Sequence, residues 1–289
     1  MKKLTALLLA LMLLAVSSVC FAEEGEDAES APPAESGEVA ETGETADEGE
    51  PADEGEPAEG EPAPEAPEIP EGAVTAGDWI LLPLGDGSAE IVRYTGSEKT
   101  AAVPEELEGM AVTAIGRYAF YGCEKLASVT IPACVVRLGE GAFYECISLA
   151  AVEIPAGVTE IPDRAFSGCN SLESAAIPDS VVRIGNWAYF GCLALPEIRI
   201  PGSVTEIGYY AFSHCPIPEA VTIPDSVVRI GACAFAYCGA LKEVHIPETV
   251  TEIGYDAFDH CGDELAVSVP AGSFAEEYCR NARIPFETE

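Results

Sequence analysis

Basic residues are scarce in this chain of 289: 14 Lys and Arg stand against 50 Asp and Glu, a formal net charge of −36. On charge alone nucleic acid and anionic lipid surfaces are disfavoured as partners, and basic proteins or divalent cations are the natural counterparts. Long apolar runs are rarer still. The one such run, Leu4 to Val19, follows Lys2 and Lys3 and leads into Cys20-Phe21-Ala22, with no second span and no C-terminal sorting signal after it. That pattern is a secretory signal peptide over 1–22, with cleavage after Ala22 favoured, so no membrane span is expected in the mature chain and the location is secreted or cell surface. A lipid-modified Cys20 and an uncleaved Leu4–Ala22 anchor are the two alternatives. Ser17-Ser18-Val19 lacks the leucine and small residue usual before a lipidated cysteine, and the run is short for a bilayer. Also missing are a nucleophile motif, a paired-carboxylate signature and a glycine-rich phosphate loop. An enzyme is therefore the least favoured class, and no cofactor or catalytic residue is assigned.

Residues 23–72 lack Lys, Arg and aromatics altogether while carrying 20 acidic residues among many Pro, Gly and Ala. Such a stretch buries too little apolar surface to offset ordering entropy and is expected to be disordered. It reads as a solubilising tail. As a tether it would reach at most ~155 Å in a polyproline-like state.

What the chain does have is a period. Cys123, Cys146, Cys169, Cys192, Cys215, Cys238 and Cys261 follow one another at 23 residues without insertion or deletion, and Ile131-Pro132 to Val269-Pro270 keep the same step. Fixed self-similarity at this length means a solenoid whose units bury their apolar faces against their neighbours. Counting from Val112 gives seven units over 112–272. Valine holds the first column, Ile or Leu the fourth and Ala the eighth. The ninth is Phe except for Tyr189, and the fifteenth is Leu126, Leu149, Leu172, Leu195 and Leu241. These are core ladders. Alternation before each proline, as in Val129-Thr130-Ile131, predicts one short strand per coil and a parallel sheet along the solenoid. The proline then forces a turn and supplies no ladder donor. The fifth column is Gly in six units and Pro162 in the seventh, so glycine serves there for room, not for a left-handed conformation. The Ala-Phe segment that follows is expected to be a short helical turn. The cysteines are expected to be buried and unpaired, since their side chains run parallel, and Cys134, Cys233 and Cys279 lie in other columns.

The pattern Leu-x-x-Val-x-Ile-Pro-x-x-Val-x-x-Ile-Gly-x-x-Ala-Phe-x-x-Cys, present from Leu126 to Cys146, resembles the BspA-like leucine-rich repeat family of bacterial surface proteins. The resemblance implies an α/β repeat solenoid, a right-handed leucine-rich-repeat coil with a parallel sheet of short strands and short helical turns. It also implies an N-terminal cap over 73–111 and a C-terminal helical cap over 273–289. In function it implies an exported binding or adhesion module; it names no ligand.

The third column alternates as Arg137, Glu160, Arg183, Glu206, Arg229, Glu252. With coils about 4.8 Å apart, opposite charges face each other at every step and oppose a slip by one repeat. Of three histidines, His214 and His260 share a column two coils apart, about 10 Å, too far for one metal ion, and no metal site is assigned. The surface signal is aromatic. Trp187, Phe190, Tyr209 and Tyr210 occupy outward columns of two adjacent coils, and exposed Trp and Tyr dominate protein and sugar recognition. They are the leading ligand-binding surface. Tyr118, Tyr121, Tyr144, Tyr237 and Tyr255 also lie in outward columns around the Ala-Phe turns, and Tyr121 and Tyr144 read simply as cover for the turns. The rival is the strand face, with Glu197, Arg199, Glu243 and His245 among small residues. The whole reads as a monomeric, non-catalytic module binding an extracellular protein or glycan. The alternative is a structural or spacer protein of the cell envelope with an acidic stalk.

Overall fold

A computed structural model describes residues 67–289 apart from 175, 218 and 263, so the signal peptide and nearly all of the acidic stretch expected over 23–72 lie outside the described residues. At the N-terminal side β1 (Val74–Ala76), β2 (Trp79–Pro83) and β3 (Ser88–Tyr94) run antiparallel, with Trp79 opposite Tyr94. Next come β4 (Thr100–Ala102), β5 (Glu106–Leu107) and β6 (Met110–Ile115), of which β6 lies parallel to β3. Through the repeats the strands are β7 (Ser128–Thr130), β8 (Arg137–Leu138), β9 (Ala151–Val152), β10 (Glu160–Ile161), β11 (Arg183–Ile184) and β12 (Glu206–Ile207). After them come β13 (Glu219–Thr222), β14 (Arg229–Ile230), β15 (Leu241–His245), β16 (Glu252–Ile253) and β17 (Ala266–Val269). Helix α1 (Phe274–Ala282) and β18 (Phe286–Thr288) complete the chain. Ser273 caps α1 by accepting from the Glu276 N–H, and the chain leaves it through Arg283 in a left-handed conformation.

The result is a solenoid of about nine turns among the described residues, with parallel strands and little helix. Seven turns were legible as repeats. The N-terminal segment adds to them because the Tyr94 ring packs at a tilt 5.3 Å from Phe120 and β4 pairs in parallel with β7, so cap sequence with no repeat signature is built as coil.

Two strand columns run along the axis. At the third and fourth positions β10, β11, β12, β14 and β16 form one parallel sheet in which Glu160, Arg183, Glu206, Arg229 and Glu252 stand opposite one another in turn. The expected charge ladder is present from Glu160 to Glu252, where Arg183 pairs with Glu160, lies 3.1 Å from Asp163 and 3.7 Å from Glu206, and Arg229 lies 3.2 Å from Glu252, whereas Arg137 stands in the sheet of β6 and pairs with Glu90 at 2.6 Å. The column before each Ile-Pro corner is less regular than the alternation predicts. β4, β7 and β9 form one sheet, which ends in an isolated bridge from Ala151 to Ser174. β13, β15, β17 and β18 form another, and no strand forms across 196–200 between them. Pro196 brings no N–H to the ladder at that coil.

The core columns are buried as the period requires. Seven aromatic rings from Phe120 to Phe258 stack at 4.9–5.4 Å, their planes within 21° of parallel. Each cysteine from Cys146 to Cys261 donates its S–H to the carbonyl of the aromatic residue 26 positions earlier, at 3.0–3.3 Å. The thiol column is thus a hydrogen-bonded ladder as well as packing. The cysteines of this column are free thiols, and burial raises the Cys169 and Cys238 thiols far above their ordinary range.

The fifth-column glycines have ordinary φ, yet a Cβ on Gly139 or Gly208 would sit 2.4–2.6 Å from backbone atoms of the preceding coil. Room is what they supply. The Ala-Phe segment, by contrast, is not a helical turn. Two positions per coil hold the backbone left-handed: the seventh (Tyr118, Gly141, Arg164, Trp187, Tyr210, Cys233, Asp256) and the eleventh (Gly122, Glu145, Gly168, Gly191, His214, Tyr237, His260), with φ between 51° and 74°. Between them the amides alternate. Tyr118, Phe120 and Gly122 donate to the next coil, while Ala119, Tyr121 and Cys123 close turns three residues back. A helix would turn all these donors inward; alternation ties every coil to its neighbour.

Candidate functional site

Of the four aromatics singled out in the sequence, Trp187 and Tyr210 occupy the left-handed seventh column, and Phe190 and Tyr209 flank it. Asn186 fixes this corner. Its backbone and side-chain N–H groups bond both Asp163 carboxylate oxygens, at 2.9 and 3.2 Å, and its side-chain Oδ1 accepts from the Tyr209 N–H at 3.1 Å. Three coils are thereby locked at the residues from which the rings project.

The rings then pack on one another. The Arg164 guanidinium lies 4.4 Å over Trp187, which stacks on Tyr210 at 5.9 Å and meets Tyr209 edge-on at 4.4 Å. Phe190 leads from Tyr210 to His214 at 5.1 Å, and His214, Tyr237 and His260 stack at 4.5 and 4.7 Å. The structure therefore joins the predicted patch to a column of His214, Tyr237 and His260, in which the sequence marks Tyr237 as an outward aromatic and the two histidines only as too far apart for one metal ion. Their shared eleventh position was the available signal. Burial lowers the pKa of His214.

These rings are less exposed than outward columns suggest. Tyr209 is 37% exposed, whereas Trp187, Phe190, Tyr210, His214 and Tyr237 are half-buried. Tyr118, assigned outward by its column, is buried at 3% and donates its hydroxyl to Glu140 at 3.1 Å. Tyr121 and Tyr144 pack with it, as expected of covering residues, and burial pushes the Tyr144 hydroxyl up to about 12. Trp187, Tyr210, His214 and Tyr237 spend ring faces on one another and on Arg164.

The strand-face residues fall in two places. Glu197 and Arg199 are exposed beside the break in the sheet, with Arg199 3.4 Å from Asp179. Glu243 and His245 lie on β15, two coils further on, where the imidazole Nδ1 is 2.9 Å from the Ser268 hydroxyl and 3.7 Å from Glu289. Among the described residues no cluster of three His, Cys, Asp or Glu side chains could hold a metal ion, and no helix is long and apolar enough to cross a membrane.

A parallel solenoid with Leu, Ile-Pro, Gly and Ala-Phe columns and a surface ridge defines a leucine-rich repeat protein of the interaction type. The description "BspA type Leucine rich repeat region" matches residues 109–219 and 210–276 in six copies, more than half of the chain, and the chain belongs to that family. Among solved structures it is similar to a leucine rich cell surface protein from Faecalibacterium prausnitzii A2-165, with 23% identity over 68% of this chain and 76% of that one and a TM-score of 0.45. It is similar also to a leucine-rich repeat protein of T. pallidum, with 25% identity, 75% and 97% coverage and a TM-score of 0.45. A leucine-rich repeat protein from Bacteroides capillosus matches at 31% identity over 38% of this chain and 86% of its own, TM-score 0.35. No curated protein matches the chain.

Proposed function

We propose that this is an exported, non-catalytic interaction module that binds an extracellular protein through the aromatic ridge centred on Trp187, Phe190, Tyr209 and Tyr210. One observation carries the reading. Trp187, Tyr210, His214, Tyr237 and His260 hold φ values of 51–59° in columns where other coils use Gly141, Gly122, Gly168 and Gly191. A bulky residue in that conformation costs on the order of 1 kcal/mol. Placing five ring-bearing residues at such positions, on adjacent coils, is unfavourable for the coil itself and concentrates the residue types that anchor interfaces. A protein is favoured over a glycan because the stacked rings spend faces on one another, whereas sugars pack on open faces. The acidic chain favours a partner with a basic surface around its anchor pocket.

Secretion through the 1–22 signal, the disordered 23–72 tail, and capping by 73–111 and 273–289 belong to this reading, as does a monomer. The spacer alternative requires a tether, for which Cys20 and an uncleaved signal are the candidates in this sequence. Mass spectrometry of the mature N-terminus separates the two: a chain starting at Glu23 removes the tether.

Binding is tested by screening the full chain against extracellular-matrix proteins and a glycan array beside a Trp187→Ala, Tyr210→Ala double variant of matched stability. A protein ligand lost in the variant supports the ridge. A ligand retained moves the site to Glu197, Arg199, Glu243 and His245, and the absence of any ligand favours the spacer.

A further inference from the structure

At the N-terminal end of the repeats the 95–98 loop lies against the turn of the first unit, and the two line a cavity of about 380 Å³. That volume falls among small-ligand sites, which run from about 300 to 1,000 Å³. Lys125, Glu98 and Glu124 bring charges of both signs to its wall. Two further groups there are open to a ligand. The first is Tyr94, which is 7% exposed and packs its ring on Trp79 and Phe120 at 4.8 and 5.3 Å, yet among the described residues its hydroxyl makes no hydrogen bond. That hydroxyl lies over Gly96, also in the wall, where a Cβ would stand 2.2 Å from it. Burial, and then Asp78, Cys123 and Glu98 nearby, hold the hydroxyl above its ordinary pKa, so it remains a donor at neutral pH. The second is Cys123. Every later thiol of its column donates to a carbonyl of the preceding coil, but here the loop takes that place, and the half-buried Cys123 donates to no carbonyl among the described residues.

We propose that this cavity binds the disulfide of a zwitterionic α-aminothiol, cystine being the simplest, and that Cys123 is modified by exchange with it. The Tyr94 hydroxyl and the Lys125 ammonium receive the ligand's carboxylate, and Glu98 and Glu124 receive its ammonium. The Cys123 thiolate attacks the nearer sulfur of the bound disulfide. That S–S bond breaks as the bond to Cys123 forms, and the departing thiolate takes up the proton that Cys123 released. The protein sulfur is oxidised and the leaving half reduced, so no other oxidant is needed. Among the described cysteines Cys134 and Cys261 are the other half-buried thiols, and neither lines the cavity. The site is separate from the ridge and stands whether or not the ridge binds protein.

Incubation of the full chain with cystine, followed by non-reducing tryptic digestion and mass spectrometry, tests it. Cleavage after Arg117, Lys125 and Arg137 places Cys123 and Cys134 in different peptides. Cys123 should gain one cysteinyl group about tenfold faster than Cys134 or Cys261. Cystamine, which lacks the carboxylates, should react at Cys123 about fivefold more slowly than cystine, the worth of one hydrogen bond, although the acidic chain attracts it more strongly. Dithiodipropionate, which lacks the ammoniums, should be slowed as much or more. Tyr94→Phe, which keeps the ring packing, and Lys125→Gln, at an exposed position, should each slow cystine about fivefold at Cys123 and leave cystamine unchanged. The proposal is overturned if Cys123 reacts no faster than Cys134, if cystamine matches cystine at Cys123, or if both variants keep the wild-type cystine rate.

Discussion

Along the turn edge the coils repeat without interruption from Tyr118 to His260, whereas along the strand face the sheet parts between β9 and β13. The turn edge is held by several independent ties: alternate backbone bonds to the next coil, two left-handed positions per coil, the thiol ladder behind it and glycines pressed against backbone. Loss of one leaves the rest. The strand face relies chiefly on its ladder, and one proline removes a donor from it. A repeat tolerates deviation where few constraints meet, and that is where the sheet parts. On the turn edge the backbone stays regular, and variation is confined to the side chains it projects.

The sharpest way to break this contrast is a methyl group. Gly208→Ala puts a Cβ 2.6 Å from backbone of the preceding coil and should cost about 3 kcal/mol in urea unfolding. Gly202→Ala, beside the Ile-Pro corner with nothing within 4 Å, should change stability by less than about 0.5 kcal/mol. Equal costs would deny that the two regions differ in tolerance. Next in size is the aromatic column. Phe166→Tyr adds a hydroxyl to a fully buried site and should lose about 2 kcal/mol, while Tyr189→Phe should gain about 1 kcal/mol by the same measurement.

Smaller again is the charge ladder. Arg183→Glu opposes Glu160, Asp163 and Glu206, and because the site is partly solvated it should lose only about 1 kcal/mol. Salt at about 1 M should shrink that loss. The smallest effect is the titration of His214. Burial depresses its pKa in the folded state, so as pH falls through 6.5 the unfolded chain binds protons that the folded chain does not. Stability present above 6.5 is thus lost below it, and the wild-type Tm should fall more than that of His214→Gln on acidification between about pH 7.5 and 5.5.

The period, the core columns, the Arg/Glu register and the fifth-column glycines could all be read from residues, because each is a one-position rule repeated along the chain. The left-handed seventh and eleventh columns were not legible. Glycine holds only four of those fourteen positions, the rest carrying side chains such as Trp187, Arg164 and Tyr237, and their φ is imposed by bonds to the neighbouring coils. The burial of Tyr118 was hidden for a similar reason, since Glu140 and Tyr144 cover it from the next coil. The break at 196–200 had a visible cause in Pro196, but the cavity beside Cys123 depends on how the 95–98 loop and Tyr94 lie against the first unit. Trp187 and Tyr210 could be named as a patch; that they stack through His214 into a ridge required the coordinates of three coils.

Hydrogen–deuterium exchange of the full chain, with and without a protein ligand found in the binding screen, tests the central claim most directly. The ridge predicts slowed exchange at the amides of 186–191 and 209–214, with the strand face unchanged. Slowed exchange confined to 173–177, 197–200 and 243–246 would contradict it.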